Sequence, residues 1–395
     1  MKTLYLHIGT PKTATSSIQK FLAQNREVLE SKGYVFPKSQ HRYLNVNSRR
    51  NGHFLVQKVE KREGGRDHEL EKQYLQEGYD LIVDEFQTYD HVILSDESIW
   101  YASSYSCKDL FADLKKQADA NGYRVKIVVY LRRQDTFFLS RWNQGVKQNI
   151  GAGSVLSCDE YISKTLKKDG KILNYAQKLD QIADIFGMEN MVVRRFEPSS
   201  WIDGSIIHDF MQAIDLPITE EFTELEKDAN FRLGKNETEI KRIVNTVPDL
   251  SREEISYFGK KLKDLSIDGK QEEPSEMLSA EELKEFLAPY EAGNTYVAET
   301  YFKDGKPLFS QQIKNVPKWE ADNPQMLADV ITFFSSVTID LYRRSAEQET
   351  EIRTLQKETE RLRYENERLR NRFMQFMWKA KHPFRTLWNK VFKRN

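Results

Sequence analysis

Lys12 stands three residues past Gly9 in the run HIGTPKTATSSIQ, with Thr13, Thr15, Ser16 and Ser17 close behind it. Where a strand runs through such a turn into a helix, the first helical N–H groups lack partners and the helix dipole is positive, so anions bind there. Lys12 adds a mobile charge and the small hydroxyls add donors that let a phosphate approach. Gly9, Pro11, Lys12, Thr13, Ala14, Thr15 and Ser16 are therefore the candidate phosphate-binding residues. The same hydroxyls also suit plain helix capping. A second constellation is Arg132, which closes IVVYLRR, with Ser140 eight residues later in DTFFLSRW. A strand-end guanidinium and a serine about a turn and a half into the next helix can meet at one phosphate. A third is ILSDES, where Glu97 and then Asp96 are candidates for a general base at a strand end, the edge where α/β sheets bind ligands. Ser95 and Asp96 equally suit capping of the helix that follows. His53, in RRNGHFLVQKV, is an alternative base, and His7 reads as a hydrogen-bonded core residue of the first strand.

The elements that must position these residues show in the hydrophobic periodicity. TLYLHIG, DHVILSDE, RVKIVVYLRR and NMVVRRFE have the short, β-rich look of strands, while TSSIQKFLAQNREVLESKG, DLFADLKKQADANG, DTFFLSRWNQGVKQ, NYAQKLDQIADIFG and SIIHDFMQAIDL have helical spacing. Strands alternating with helices imply βαβ units, hence an α/β fold with a P-loop-type parallel sheet flanked by helices and largely complete near residue 216. Residues 217–310 are more polar and mostly helical, and read as a helical cap that completes a 1–310 domain. Residues 311–337 read as a connecting helical segment. From 338 to 378 the chain reads as a coiled coil: Ile352, Leu355, Thr359, Leu362, Asn366, Leu369, Phe373 and Phe376 alternate at spacings of three and four, and the polar Asn366 at an a position favours two strands. A homodimer is the expected consequence; a single helix folded back on the domain is the alternative. In the tail, 379–395, Phe384, Leu387, Trp388, Val391 and Phe392 fall on one helical face, with Arg385, Lys390, Lys393 and Arg394 off it. That pattern suits an interfacial helix on an anionic membrane surface, or one packed against protein.

Composition narrows the classes. Of 395 residues 39% are apolar, enough for a large core, and 60 basic residues balance 60 acidic ones. No basic, aromatic-interleaved stripe points to nucleic acid. Cys107 and Cys158 give neither a disulfide framework nor metal-ligand spacing, so no metal is expected. The sequence has no signal-peptide or membrane-spanning run, and the expected location is cytoplasmic, peripheral on the inner face of the membrane.

The phosphate loop is not a Walker A motif, because Ala14-Thr15 stand where Gly-Lys would be. Pro11-Lys12-Thr13-Ala14-Thr15-Ser16 instead resembles the 5′-phosphosulfate loop of sulfotransferases that use 3′-phosphoadenosine 5′-phosphosulfate (PAPS), usually Pro-Lys-[Ser/Thr]-Gly-Thr-[Thr/Ser]. Ala14 departs from the usual glycine, as does the resembling loop of heparan sulfate uronosyl 2-O-sulfotransferases. Those families hold the 3′-phosphate with a strand-end arginine and a serine eight residues on, which here are Arg132 and Ser140. LHIGTPKTATSSIQ, HVILSDE, VVYLRRQDTFFLS, NYAQKLDQIADIFGMENMVVRRFE and YEAGNTYVAETYF extend the resemblance, over about residues 1–310, to bacterial sulfotransferases linked to cell-surface polysaccharides.

The resemblance implies transfer of a sulfuryl group from PAPS to a hydroxyl of a carbohydrate or glycolipid acceptor. Lys12 would stabilise charge on the leaving nucleotide, which departs as 3′-phosphoadenosine 5′-phosphate, and Glu97, Asp96 or His53 would take the acceptor proton. Arg49, Arg50, Lys58, Lys61, Arg62 and Arg66 could grip an acidic glycan or form a solvated face. The competing readings are a nucleotide-dependent kinase on a P-loop-like fold, and a non-catalytic coiled-coil scaffold with a degenerate nucleotide site.

Overall fold

The computed structural model describes all residues except 62, 106–108, 226–232, 268–273, 385–387 and 389–395, and except the side chains of 167–169 and 267. Five short strands, β1 (Thr3–His7), β2 (Tyr34–Val35), β3 (His91–Ser95), β4 (Arg124–Leu131) and β5 (Met191–Arg195), form one sheet in the order β2-β3-β1-β4-β5, parallel throughout. The helices are α1 (Thr15–Gln24), α2 (Arg26–Ser31), α3 (His68–Thr88), α4 (Ile99–Tyr105), α5 (Leu110–Asn121), α6 (Gln134–Gln148), α7 (Cys158–Asp169), α8 (Tyr175–Phe186), α9 (Ile206–Ala213), α10 (Lys235–Val244), α11 (Arg252–Ile267), α12 (Ala280–Val297) and α13 (Pro324–Lys381). This is an α/β fold, with helices on both faces of the sheet and a long C-terminal helix.

Alternation along each strand divides the core. Leu4, Leu6, Val92, Leu94, Ile127 and Val129 face Ile82, Phe86, Leu114, Leu179 and Ile182 of α3, α5 and α8. Tyr5, Ile93, Val128 and Tyr130 face Ile18, Phe21 and Leu22 of α1 and Phe210 and Met211 of α9. Both layers are buried, and because the strands are parallel the loops that follow β1, β3 and β4 emerge at one edge. His7 lies beside Ser95 and Val128 in register.

Differences from the sequence reading have local causes. The helix expected over 15–33 breaks at Asn25, whose Nδ2 donates to the carbonyls of Phe21 and Thr223 (3.0 Å each) while its Oδ1 accepts from Thr223 N–H (2.8 Å). The Asn25 backbone leaves the helical region there, at φ −107° and ψ 26°. α3 occupies a stretch to which the hydrophobic pattern assigned no element, although Asp67 caps it by accepting from Leu70 N–H and Glu69 and Glu71 fill its first turn. Residues 217–310, expected to be a helical cap, contain α10, α11, α12 and a π-helical turn at Ala298–Phe302.

The chain divides into two compact units, Met1–Asn323 and Pro324–Asn395. α13 starts inside the segment expected to be a connector and crosses residue 338 without a break, because Pro324 is at its first position and no Gly or Pro follows until Pro383. Residues 311–323 are a separate non-helical stretch that bridges Lys318 to Glu276. In the tail, Phe384 and Trp388 are exposed, whereas Arg385, Leu387, Lys390, Val391, Phe392, Lys393 and Arg394 lie outside the described residues. Among the described residues no helix is long and apolar enough to cross a membrane.

Candidate active site

The turn between β1 and α1 is built against β4 and against the loop after β3. Thr10 donates to the Tyr130 carbonyl from its N–H (2.9 Å) and its hydroxyl (3.1 Å), and Tyr130 N–H returns a bond to the Gly9 carbonyl (2.7 Å). Gly9 sits at φ +102°, and a Cβ there would lie 3.0 Å from Pro11 N and 3.2 Å from the Glu97 Cβ. Only glycine satisfies both constraints. Lys12 and Ala14 also have positive φ, +69° and +58°. Ala14 is the left-handed residue at the N-cap of α1, which costs an L-residue with a Cβ about 1 kcal/mol. That is the physical reason the resembling loop usually carries glycine here. The Thr13 hydroxyl closes the turn on the Thr10 carbonyl, so what Thr13 offers an anion is its backbone N–H. Thr15 is buried, Ser16 is exposed, and α1 has no acidic residue in its first turn.

Arg132, just past β4, reaches this turn: Nη1 donates to the Lys12 carbonyl at 2.7 Å, while Nε donates to Thr136 Oγ1 at 3.1 Å. Its guanidinium lies over the Phe196 ring at 5.4 Å, and its own carbonyl accepts from the Tyr175 hydroxyl at 2.7 Å. Ser140 follows Thr136 by one turn of α6, on the helix face that Arg132 meets. The structure thus brings Gly9, Lys12, Arg132 and Glu97 to one sheet edge, while Ser140 lies one helical turn beyond the Thr136 that Arg132 bonds.

The loop after β3 carries a buried charge centre. Asp96 is fully buried; its Oδ1 accepts from Arg50 Nη2 (2.5 Å) and Ser98 N–H (2.6 Å), and its Oδ2 from Arg50 Nε (3.0 Å) and His53 Nδ1 (2.8 Å). Burial raises the Asp96 pKa, but His53 and Arg50 outweigh it and hold the carboxyl below its usual range. Burial likewise opposes the Arg50 charge, and Asp96 with Glu97 more than restores it. Both Asp96 oxygens are therefore spent, and it caps the turn ahead of α4 instead of facing a substrate. Because an ionised Asp96 only accepts, His53 Nδ1 is the donor in this pair, whose geometry fixes the ring's orientation. Tyr43 packs edge-on against His53 at 4.5 Å.

Glu97 is partly exposed. Its Oε1 lies 3.5 Å from Arg50 Nη1, and its Oε2 accepts from Gln19 Nε2 at 3.4 Å. Gln19 also donates to Ser95 Oγ (3.1 Å), which bonds His7 Nδ1 (2.9 Å). Burial drives the pKa of His7 down to about 3, so it is a neutral core residue. A cavity of about 390 Å³ is lined by Tyr43, Arg50, His53, Lys58, Ser98 and Tyr101 among others. A larger one, about 780 Å³, lies against α12 and Arg133, but Arg133 is committed to Asp135 and to the Ser310 carbonyl, and none of the candidate residues lines that cavity.

Sequence reasoning placed Arg50 only within a basic run and missed Gln19 and Asn51. Asn51 accepts from Ser95 N–H (2.8 Å) and donates to the carbonyls of Ile93 and Pro37, tying the His53 turn to β3. No local signal marks these residues, because the partners of their side chains lie between 14 and 78 positions away. Most of the basic run is answered by acids: Arg50 by Asp96, Lys58 by Glu60, Lys61 by Asp67 and Arg66 by Glu71, while Arg62 lies outside the described residues. The Cys158 thiol is buried and pushed up to about 12, so it is no nucleophile, and Cys107 lies outside the described residues.

No family model matches the chain. An uncharacterized protein of Archaeoglobus fulgidus is 32% identical over 128 residues, which make up 32% of this chain and 32% of that protein, so the match spans about a third of either. A solved sulfotransferase from Alicyclobacillus acidocaldarius superposes with a TM-score of 0.35 at 15% identity, covering 62% of this chain and 94% of that one. Likeness at this level assigns neither ligand nor reaction, which rest on the site itself.

Proposed function

We propose that this protein is a sulfotransferase that moves a sulfuryl group from PAPS to a hydroxyl of a carbohydrate or glycolipid acceptor. The observation that carries this reading is the joining of two phosphate-binding constellations far apart in sequence: Arg132 at the end of β4 grips the backbone of Lys12 in the β1–α1 turn. The donor set fits a doubly phosphorylated nucleotide. Lys12, Arg132, Ser140, Ser16 and the N–H groups of α1 are donors, and no carboxylate stands in the first turn of α1.

PAPS, when bound, supplies the sulfuryl group on a phosphate leaving group. The chain's own residues do the rest. Lys12 and the turn's N–H groups would hold the 5′-phosphosulfate and offset negative charge there, and Arg132 and Ser140 would hold the 3′-phosphate. His53 Nε2 takes the acceptor proton, with Asp96 as the positioning residue that fixes the ring's orientation. Glu97, expected first as the base, remains the alternative, with its carboxylate facing the donors Arg50 and Gln19. The cavity beside His53 would seat the acceptor, with Tyr43 and Tyr101 for sugar rings and Lys58 near its mouth. The C-terminal tail would hold the enzyme on an anionic membrane surface on the cytoplasmic side.

Calorimetric titration with 3′-phosphoadenosine 5′-phosphate against ATP tests the reading. The expected result is tight binding that prefers the 3′-phosphorylated nucleotide and weakens in Arg132→Ala. A preference for ATP, or no binding, sinks it.

A further inference from the structure

The second unit presents an apolar seam longer than the sequence reading gave it. Counting back from Ile352 in the same three-and-four spacing, the seam passes through Gln348, Ser345, Leu341, Thr338, Phe334 and Ile331 to Leu327, about seven heptads in one register. α13 is continuous over all of it. Leu327, Ile331, Phe334, Leu341, Ile352, Leu355, Leu362, Leu369, Phe373 and Phe376 are each between 52% and 69% exposed. So many large side chains in one stripe, flanked by charge, mark a face that a partner covers.

The charges beside the seam say which partner. In this register the g positions are Arg344, Glu351, Glu358 and Glu365, and the e positions five residues on are Glu349, Gln356, Arg363 and Arg370. In a parallel, in-register pair each g residue meets the e residue of the next heptad on the other strand. Arg344 then meets Glu349, Glu358 meets Arg363 and Glu365 meets Arg370, twice each by symmetry. An antiparallel pair that kept the whole seam would set e beside e, where Arg363 and Arg370 face Ala328, Ser335 or Tyr342 and no carboxylate. We propose that α13 pairs with α13 of a second copy of this chain as a parallel, in-register, two-stranded coiled coil.

Asn366 fits this arrangement: at an a position of a parallel pair it meets its own copy, which fixes register at some cost in stability. Both C-terminal tails then leave the rod at the same end. Two weak surface anchors presented together hold far better than one, because the second binds at the high effective concentration the first creates. The inference stands on the second unit alone and is independent of the enzymatic reading.

Sedimentation velocity of the full chain at micromolar concentration should give a dimer. Glu358→Arg with Glu365→Arg should weaken dimerisation at least tenfold, as should Arg363→Glu with Arg370→Glu, and an equimolar mixture of the two variants should restore the dimer. All four side chains are exposed, so the fold is undisturbed. Orientation is read separately. Ser345→Cys should cross-link to its own copy under mild oxidation beyond the background of the unsubstituted chain, whereas an antiparallel pair would hold the two about 20 Å apart. A monomer, a trimer, indifference to charge reversal or failure of the cross-link would each overturn the proposal.

Discussion

Arg132 donates from Nη1 to the carbonyl oxygen of Lys12 at 2.7 Å, across 120 positions of sequence. The side chain expected to hold one end of a nucleotide thus also fixes the turn expected to hold the other. Replacing it affects both ends. Arg132→Ala should weaken 3′-phosphoadenosine 5′-phosphate binding by about 10- to 100-fold, the range for a lost charged hydrogen bond. Adenosine 5′-phosphate should lose less, since only the turn's support is removed; titration of the two nucleotides measures the difference.

Lys12→Ala should cut turnover by about 10²- to 10³-fold, as for loss of a preorganised charge at a leaving group. The side chain is outside the dry core, so the melting temperature should barely move. Steady-state kinetics at saturating PAPS checks the first point and a thermal melt the second.

Two positions in the turn should respond in opposite directions. Gly9→Ala places a Cβ against Pro11 and Glu97 at a positive φ and should destabilise the protein and abolish nucleotide binding. Ala14→Gly relieves a left-handed residue and should be neutral to stabilising by up to about 1 kcal/mol. Urea denaturation of both variants decides.

Asp96→Asn should cost about 3 to 5 kcal/mol, because it removes the buried carboxylate that accepts from Arg50, His53 and Ser98 N–H and leaves Arg50 only Glu97, at 3.5 Å. The folded-state pKa of Asp96 lies below its unfolded value. Its stabilisation is therefore complete above the ordinary aspartate range, near pH 4, and is lost as pH falls through the folded pKa. The gap between wild type and variant should accordingly close in acid. His53→Ala should lower kcat by about 10²- to 10⁴-fold with less effect on stability. If Glu97→Gln shows the larger loss in kcat, the base is Glu97.

Deleting residues 379–395 should release the protein from vesicles containing anionic lipid while sparing activity on a soluble acceptor. Co-sedimentation with such vesicles, with and without added salt, is the measurement, and unchanged binding refutes a membrane role for the tail.

Much of the fold was legible because its signals are local. Each of β1, β3, β4 and β5 is a run of apolar residues ahead of a turn, and α5, α6, α8 and α9 have an apolar stripe that only a helix can present on one side. α3 carries the same kind of signal in its Asp67 cap and acidic first turn, yet its long polar face hid it. β2 has two residues and gives no periodicity at all. The break at Asn25 depends on Thr223, which no window of neighbouring residues contains.

The candidate site divides along the same line. Gly9, Pro11, Lys12 and the hydroxyls around Ala14 read as a candidate anion-binding turn by type and spacing alone, since the geometry they need is set within a few residues. Arg132 with Ser140 does the same across one strand end and one helix turn. Tertiary structure decided what these groups touch: that Arg132 holds Lys12, that Arg50 is matched to Asp96, and that both Asp96 oxygens are taken up by His53, Arg50 and Ser98 N–H. The physical reason is that backbone propensity and hydrophobic period act over a turn or two of chain, whereas burial and charge pairing act through space, between residues the sheet brings together from opposite ends of the domain.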